Sequence, residues 1–386
     1  ISEVALTLML LIGAGLLIKS YLRVLAVDPG YDPKNLLALR ARGDESKYPL
    51  GSPQARAFSQ EAITCVKAIP GVKAVATASG YGIPFSGGLC GTLFSVEGRP
   101  PAPAEQRPQV DCSVISPDYF HAMGMRLRAG RSFTEQDDEK APFVVIINET
   151  VARRYFPGED PIVKRVKEGG SLRTIVGVVG DMKRLGLEAE ALPEIYWPYP
   201  QESFYSADIS LIVRTAGNSL DVVAAARRQI NELVGGEMPN AYVMTLKPRL
   251  AETVAPRRFQ MFLFGVFAAV ALALAAVGVY GVIAYSVSRR THEIGIRMAL
   301  GARPRDVLLM VVRQGMTLAL VGVFIGLTGA MWATSALKGL LFELSVTDPP
   351  TFTLIAALML GVAFLACYLP ARGATKVDPM IALRQE

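Results

Sequence analysis

Long stretches without any charged side chain dominate the C-terminal third of this sequence. They lie between Arg258 and Arg289, between Arg313 and Lys338, and between Asp348 and Arg372. Each exceeds the roughly 20 apolar helical residues that cross a bilayer. A fourth apolar run, 4–18, continues to Leu25. The sequence therefore predicts four transmembrane helices, and only 19% of its residues are charged, against about 25% in soluble domains.

The distribution of Lys and Arg predicts the orientation of these helices, because short cytoplasmic loops carry an excess of both. Segment 287–313 carries six, segment 336–350 carries one, and the tail from 372 carries three. The predicted segments are transmembrane helix one at 1–25, an extracytoplasmic domain at 26–257, helix two at 258–287, a cytoplasmic region at 288–312, helix three at 313–336, a short extracytoplasmic loop at 337–350, helix four at 351–371 and a cytoplasmic tail at 372–386. Because Ile1 opens inside an apolar run, we expect that a longer protein has been truncated here.

Several function classes are disfavoured by what the sequence lacks. The net charge of +6 comes from residues that flank the apolar runs, which indicates membrane topology and no nucleic-acid partner. Helices two to four carry no Asp, Glu, Lys, Arg or His in their cores, which argues against an ion-driven carrier. No G-x-x-x-x-G-K-[ST] loop is present, so we expect no nucleotide-binding site in this chain. We also predict no catalytic, cofactor or metal site.

Small residues in the predicted transmembrane helices have the spacing of helix contacts. Gly322 and Gly326 are four residues apart in helix three. A similar row in helix two consists of Ala268, Ala271, Ala275, Gly278 and Gly281. Small side chains let helix backbones approach closely in a membrane. The predicted contacts lie either within one chain or between two chains of a dimer.

The extracytoplasmic domain has the pattern of a mixed α+β fold, with strands and helices interspersed. Strands are predicted at Leu36–Leu39, Val72–Ala76, Phe143–Ile147, Thr174–Val179, Ile209–Val213 and Tyr242–Leu246, and helices at Pro53–Ile69, Glu149–Tyr155 and Leu220–Leu233. We infer two lobes, one inserted into the other, with the Pro-rich segment Arg99–Pro108 as a linker between them. Residues 248–258 are predicted to continue helix two as a stalk, although Pro256 interrupts its pattern.

Candidate chemistry in this domain is sparse. Asp181 fits a turn better than a catalytic role. The segment Ser116-Pro117-Asp118 resembles the N-cap of a following helix, which favours a capping role for Ser116 over that of a nucleophile. We interpret His121 as structural, and Trp197 with Tyr199 as packing between lobes in preference to lining a cleft. Two alternatives stay open for Cys90 and Cys112, which either form a disulfide in an oxidising compartment or remain free and buried.

The segment between helices two and three predicts a short amphipathic helix followed by a tight turn. Glu293 and Arg297 are four residues apart, in the favourable order for an ion pair. Gly301 suits the left-handed cap of this helix. Pro304 and Asp306 suit the first turn of the next one. Such a helix lies either in the lipid interface or in a groove of a soluble partner, and composition does not choose between them.

A resemblance to a known family favours the second of these alternatives, a groove of a soluble partner. Segment Glu293–Ala302 resembles the signature of FtsX/MacB-type ABC transporter permeases, and Pro370–Arg384 resembles the family's C-terminal ending. Segments Gly13–Lys19 and Val27–Gly30 are similar to its duplicated orphan-permease subgroup, in which another four-helix half precedes this one.

The resemblance implies a fold, a partner and a role for the cytoplasmic segment. It implies porter-like and sabre-like lobes outside a bacterial inner membrane, and a dimer, or a pairing with a duplicated half, that binds an ABC ATPase. It assigns ATPase coupling to Glu293, Ile294, Gly295, Ile296, Arg297, Met298, Ala299, Leu300, Gly301 and Ala302. ATP would bind to the ATPase subunit, so this chain is expected to be a permease and not an enzyme.

Two functions follow from the resemblance. In the first, motion of the extracytoplasmic domain exports or extracts a peptide, drug, lipid or lipoprotein, with a periplasmic adaptor or an outer-membrane channel as a further partner. In the second, the chain is a signalling scaffold that regulates an extracytoplasmic partner such as a cell-wall hydrolase. The large domain favours the first.

Overall fold

The computed structural model describes residues 1–79, 82–85, 90–100, 108–168, 170–202, 207–236, 243–290, 293, 296–297, 303–336, 344–345 and 347–374. The helices of these residues are α1 (Ser2–Ala26), α2 (Pro53–Lys67), α3 (Tyr119–Met123), α4 (Glu149–Tyr155), α5 (Leu220–Val234), α6 (Leu246–Thr253), α7 (Ala255–Arg289), α8 (Pro304–Ala336) and α9 (Pro349–Ala374). The strands are β1 (Leu36–Arg42), β2 (Val72–Ser79), β3 (Gly91–Val96), β4 (Gln109–Ile115), β5 (Leu127–Gly130), β6 (Val144–Asn148), β7 (Arg165–Glu168), β8 (Ser171–Val179), β9 (Glu194–Pro198), β10 (Asp208–Thr215) and β11 (Val243–Thr245).

The chain divides into two compact units. Residues 1–26 and 255–386 form the first, called here the helical unit, and residues 27–254 form the second, called the sheet unit. In the helical unit, α1, α7, α8 and α9 are long and apolar enough to cross a membrane, which confirms the predicted architecture of four transmembrane helices and a domain inserted after the first.

Helix α8 starts several residues before the predicted start at 313. Its first residue is Pro304, whose fixed φ suits a first helical turn. The Asp306 side chain accepts a hydrogen bond from the Arg303 N–H at 3.2 Å, which satisfies one of the donors left unpaired near a helix start. The predicted roles of Pro304 and Asp306 are therefore confirmed.

Apolar side chains from all four long helices meet in one core of the helical unit. Leu8, Ala275, Val323 and Met359 belong to it, one from each helix. A second apolar cluster includes Ile283 of α7, and α8 and α9 also contribute to it. More than half of the apolar window of α1 is buried, against about a tenth of that of α7. Helix α1 is therefore the most enclosed of the four.

The sheet unit is built on one sheet, in which β2 and β4 are joined by the pair Ala78 and Ile115. Strands β11, β1, β10 and β2 form one part, covered by α2 and α5. In the other part, β4, β3, β7, β8, β6 and β9 are neighbours in this order, and β9 pairs with β4 again, so these six strands close into a ring. The ring strands lie between β2 and β10 in the chain. This order along the chain agrees with the inferred insertion of one lobe into the other, although a single sheet joins both lobes.

Of two predicted connections, one is wrong and the other is confirmed in part. Segment Arg99–Pro108 does not link the lobes, because it lies between the antiparallel neighbours β3 and β4; residues 101–107 are outside the described part. The predicted helical stalk is present in two pieces, because α6 ends at Thr253 and α7 begins at Ala255. The break falls at Val254 and not at Pro256. Pro256 falls in the first turn of α7, where its missing N–H costs nothing.

The predicted strands and helices of the domain are all present, with bounds shifted by a few residues. Helix α3 follows the predicted N-cap segment 116–118, as expected. Prediction missed five strands, namely β3, β4, β5, β7 and β9. Strand β4 shows why, because its buried positions include Asp111 and Ser113, which do not fit an apolar strand pattern.

Candidate coupling site and extracytoplasmic cleft

The predicted coupling segment is partly described. Glu293, Ile296 and Arg297 are helical, whereas Ile294, Gly295, Met298, Ala299, Leu300, Gly301 and Ala302 lie outside the described residues. A guanidinium nitrogen of Arg297 is 2.6 Å from Oε1 of Glu293, which confirms the predicted i,i+4 ion pair. Both side chains are about half exposed, so the pair itself adds only about 0.3–0.5 kcal/mol of stability.

Arg297 within this segment and Arg290 just before it both contact α8. Arg297 Nη1 lies 2.9 Å from the sulfur of Met310, a weak acceptor. Arg290 Nη1 donates to Oε1 of Gln314 at 3.3 Å. Met310 and Gln314 are one helical turn apart on α8. The segment is therefore attached to α8 by its side chains as well as by the chain.

The two predicted packing glycines of α8 both face α1. A methyl carbon added at Gly322 would lie 2.9 Å from Cβ of Val4, and one added at Gly326 would lie 2.9 Å from Cδ2 of Leu8. Real Cβ atoms almost never come that close. The structure therefore places both glycines in a contact within one chain, where only glycine fits without a shift of α1.

Some of the small residues of α7 also face α1. Ala268 and Ala275 are buried, and the carbonyl oxygen of Ala271 accepts a hydrogen bond from Oγ1 of Thr7 at 3.2 Å. At Gly278 an added methyl carbon would meet the carboxylate of Glu3. At Gly281 it would meet no described atom within 4 Å, so the predicted contact there is absent from the described part of this chain.

Polar contacts that the sequence analysis missed join three helices at the end of α1. Lys19 Nζ lies 2.7 Å from each carboxylate oxygen of Asp348, the residue before α9. Asp348 also accepts from the N–H of Thr351 at 3.2 Å. The hydrogen bonds from Lys19 and Thr351 lower the pKa of Asp348. Arg257 of α7 donates to Ser20 at 3.2 Å. In the sequence, the contact of Lys19 with Asp348 is indicated only by a charged residue at the end of each of two apolar runs.

In the sheet unit, the candidate polar residues have structural partners. Asp181 accepts from the N–H and the hydroxyl of Thr150, both at 2.8 Å, at the start of α4. Within the predicted N-cap segment 116–118, Asp118 is the N-cap residue of α3, without a hydrogen bond from its side chain. The Ser116 hydroxyl instead accepts from the N–H of Thr77 at 2.9 Å.

The remaining candidates do not form a site. His121 is exposed on α3. Trp197 lies under the guanidinium of Arg173, 5.3 Å from the ring centre, and the hydroxyl of Tyr199 contacts Gln60 at 3.3 Å. Within the described residues, no three His, Cys, Asp or Glu side chains are grouped to hold a metal ion.

A polar cleft of about 920 Å³ opens in the sheet unit. Five acidic and five basic side chains line it, and several pair with each other, such as Arg128 with Glu149 at 3.2 Å. One wall is the connection between β8 and β9, residues 180–193, called here the β8–β9 segment. Of the predicted candidates, only Asp181 lines this cleft.

A buried ion network anchors the β8–β9 segment. The guanidinium of Arg184 lies 2.9 Å from a carboxylate oxygen of Asp111 and 2.6 Å from one of Glu194, and it also donates to Ser113 at 2.8 Å. Only 2% of the Arg184 side chain is exposed. Burial raises the pKa of Asp111 and that of Glu194, although Arg184 opposes both shifts.

The structure decides the alternatives left open for the cysteines, because Cys90 and Cys112 form a disulfide. Cys90 immediately precedes β3 and Cys112 lies within β4. The bond is next to the ion network, since Asp111 precedes Cys112 in β4. Cys65 and Cys367 are free.

Comparison with known proteins agrees with this architecture. Residues 1–233 match the family model described as MacB-like periplasmic core domain, and residues 265–379 match the FtsX-like permease C-terminal model. The macrolide export ATP-binding/permease protein MacB of Mannheimia succiniciproducens is 30% identical over 287 residues, which cover 70% of this chain and 43% of that protein. The pyoverdine export ATP-binding/permease protein PvdT of Pseudomonas syringae pv. tomato is 27% identical over 402 residues, covering 98% and 57%.

Among solved structures, the periplasmic region of MacB from Actinobacillus actinomycetemcomitans matches with a TM-score of 0.42 and 16% identity, covering 60% of this chain and 98% of that one. The matched part of this chain spans less than half of the first relative's length.

Because the first family model covers more than half of the chain, this chain belongs to the MacB/FtsX-like family of ABC transporter permeases. The resemblance drawn from Glu293–Ala302 is thereby confirmed at the level of the family. The coupling roles of these residues and the subgroup within the family stay predictions.

Proposed function

We propose that this chain is the permease part of a MacB-like ABC transporter and converts ATP hydrolysis by an ABC ATPase into motion of its extracytoplasmic domain. The contact of the coupling segment with α8, through Arg297 and Met310, is the observation that carries the proposal. A displacement of this segment by an ATPase would act directly on α8. The ATPase would bind the nucleotide, and the permease would contribute no cofactor or catalytic residue.

Close packing supports transmission from α8 to α1. Gly322 and Gly326 hold α8 against α1, and α1 continues in the chain into the sheet unit at Val27. Interiors packed without voids transmit displacement. The pair α1 and α8 is therefore suited to carry motion between the coupling segment and the start of the extracytoplasmic domain.

The substrate class rests on the relatives. Both curated relatives reported above are named as export proteins, one for macrolides and one for pyoverdine. We therefore favour export or extraction over a signalling role, with a dimer in a bacterial inner membrane as the working unit. An adaptor or an outer-membrane channel would be a further partner of this assembly.

Co-purification with ABC ATPases that are encoded near this chain's gene, followed by an ATPase assay in lipid, tests this proposal. We expect a stable complex. Its stimulated ATPase activity should fall about fivefold or more in Glu293→Ala and in Met298→Ala, because coupling between two sites typically changes an equilibrium by at least that factor. Glu252→Ala is the matched control, because Glu252 is also an exposed acid paired on a helix, with Arg249 at 2.7 Å.

Normal stimulation in both coupling variants would contradict the assignment of the coupling segment. A complex that hydrolyses ATP with normal coupling but moves no cargo, and instead activates a cell-wall hydrolase, would support the signalling scaffold. Failure to bind any ATPase would refute the permease role itself.

A further inference from the structure

The disulfide of the sheet unit lies against the buried ion network. The backbone N–H of Cys90 donates a hydrogen bond of 2.7 Å to Oδ1 of Asp111. The other carboxylate oxygen of Asp111 faces Arg184 at 2.9 Å. Because the bond to Cys112 fixes the position of Cys90, it also fixes this N–H donor on Asp111.

The network depends on such donors. It contains two buried carboxylates, those of Asp111 and Glu194, against the single guanidinium of Arg184. A buried charge without enough partners is strongly destabilising. Loss of the Cys90 N–H would remove one of the backbone hydrogen bonds that the Asp111 carboxylate accepts, the other coming from Cys112, and would weaken the hold of Asp111 on Arg184.

Asp111 holds the β8–β9 segment at two points. Its side chain pairs with Arg184 within the segment, and its backbone N–H donates to the carbonyl oxygen of Pro193 at the segment's end, at 2.8 Å. Other residues of the segment, including Asp181, Lys183 and Glu190, line the cleft. The position of one cleft wall is therefore linked to the disulfide through a single residue.

We propose that the Cys90–Cys112 disulfide is a redox-sensitive clasp that controls the order of the β8–β9 segment and so the shape of the cleft. A dithiol, such as that of a thiol–disulfide oxidoreductase, is the reductant. Its thiolate attacks the sulfur of Cys90, the more exposed of the two cysteines, and Cys112 leaves as a thiolate and takes up a proton. The second thiol of the reductant then displaces Cys90 as a thiol, and the reductant becomes the disulfide.

Reduction would change the network without breaking the main chain. Cys90 would be free to move from Asp111, and the pair of Asp111 with Arg184 would loosen. The segment would then open locally, because local opening needs only the loss of the contacts that hold that part of the structure. This inference does not depend on the ATPase partner.

Hydrogen exchange measured on the full chain in detergent tests the clasp. Dithiothreitol is the reductant, and alkylation of both cysteines verifies the reduction. We expect exchange of the β8–β9 segment to rise about tenfold, the scale for removing a donor from a buried charge, while β1 and α2 stay protected. Cys65→Ser is the control for the free thiol and should leave both the exchange and its response to reduction unchanged.

The Asp111→Asn variant tests the contact between Asp111 and Arg184 separately from the disulfide bond. With the disulfide intact, this variant should loosen the same segment, because the amide cannot replace the charge that faces Arg184. Unchanged exchange of the segment after verified reduction overturns the proposal. A rise in exchange that extends equally to β1 and α2 would also overturn it, because the bond would then stabilise the whole domain. The same holds if the β8–β9 segment stays fully protected in the Asp111→Asn variant.

Discussion

The helical unit and the sheet unit hold their polar groups in different ways. In the helical unit, the backbone is paired within the helices, and the helices approach closely where glycines such as Gly326 face α1. The sheet unit instead buries whole guanidinium groups, of which Arg184 is 2% exposed. Contacts inside the helical unit therefore depend mainly on the fit of packed side chains, and contacts inside the sheet unit depend more on buried ion pairs.

The difference follows from the solvent that each unit is built for. A helix that crosses a bilayer must satisfy its backbone internally, so neighbouring helices need only fit each other. The ends and connections of strands leave polar groups that must find partners inside the domain. We therefore expect the helical unit to be sensitive to added volume, and the sheet unit to the loss of one buried charge.

The two tryptophans of the chain allow each unit to be followed separately. Trp197 lies in β9 of the sheet unit and Trp332 lies in α8 of the helical unit. Replacing one with Phe leaves the fluorescence of the other as the signal for its own unit. The predictions that follow use this signal during unfolding of the purified chain in detergent.

The largest effect is expected for Arg184→Met. The variant leaves Asp111 and Glu194 buried without their cation, which costs about 3–5 kcal/mol of the free energy of unfolding. Unfolding monitored by Trp197 should shift strongly, and unfolding monitored by Trp332 should shift less. Arg165→Met is the matched control, because its pair with Glu97 is about half exposed. A loss as small as that of the control would contradict the role given to buried charge.

A smaller loss is expected for Gly326→Leu in α8. The added side chain would clash with Leu8 and with the backbone of Ala5, and overpacking costs about 1–3 kcal/mol. The signal of Trp332 should report the loss. Gly361→Leu in α9 is the control, because no described atom lies within 4 Å of an added methyl carbon there. Equal stability of both variants would show that α1 and α8 are not closely packed.

Much of the helical unit could be predicted from the sequence, because a transmembrane helix is encoded by local composition. The ion pair of Glu293 and Arg297 was also predictable, since its partners are one helical turn apart. The pair of Lys19 and Asp348 was not, because 329 residues separate them and no local pattern relates the two.

The sheet unit shows the same limit more strongly. Helix α4 was predicted with its observed bounds, and β6 and β8 were recognised as apolar runs. Strand β4 was missed, because Asp111 and Ser113 interrupt its apolar pattern, and their partner Arg184 lies in a distant segment of the chain. A sequence pattern cannot show that a buried carboxylate is satisfied by a residue that folding brings to it.

An intermediate effect is expected for Asp348→Asn, which removes the ion pair between Lys19 of α1 and the residue that precedes α9. The pair is partly exposed, so we expect a loss of about 1 kcal/mol or less. Because the pKa of Asp348 is lowered in the folded state, its contribution is present above the unfolded value of about 3.9 and is lost as the pH falls through the lower folded value. The stability difference between wild type and variant, measured with Trp332, should therefore shrink on acidification. A difference that grows at low pH would contradict this sign.

The smallest effect is expected for Arg249→Ala, and it decides whether burial is the cause of the charge sensitivity. Arg249 pairs with Glu252 at 2.7 Å, as close as the contacts of Arg184, but about half of its side chain is exposed. Water and salt screen such a pair, so the loss should stay below about 0.5 kcal/mol and should fall further at high ionic strength. If Arg249→Ala instead costs as much as Arg184→Met in the Trp197 signal, charge would matter regardless of burial. The contrast between the two units would then lie in how many charges each contains, and not in where they are placed.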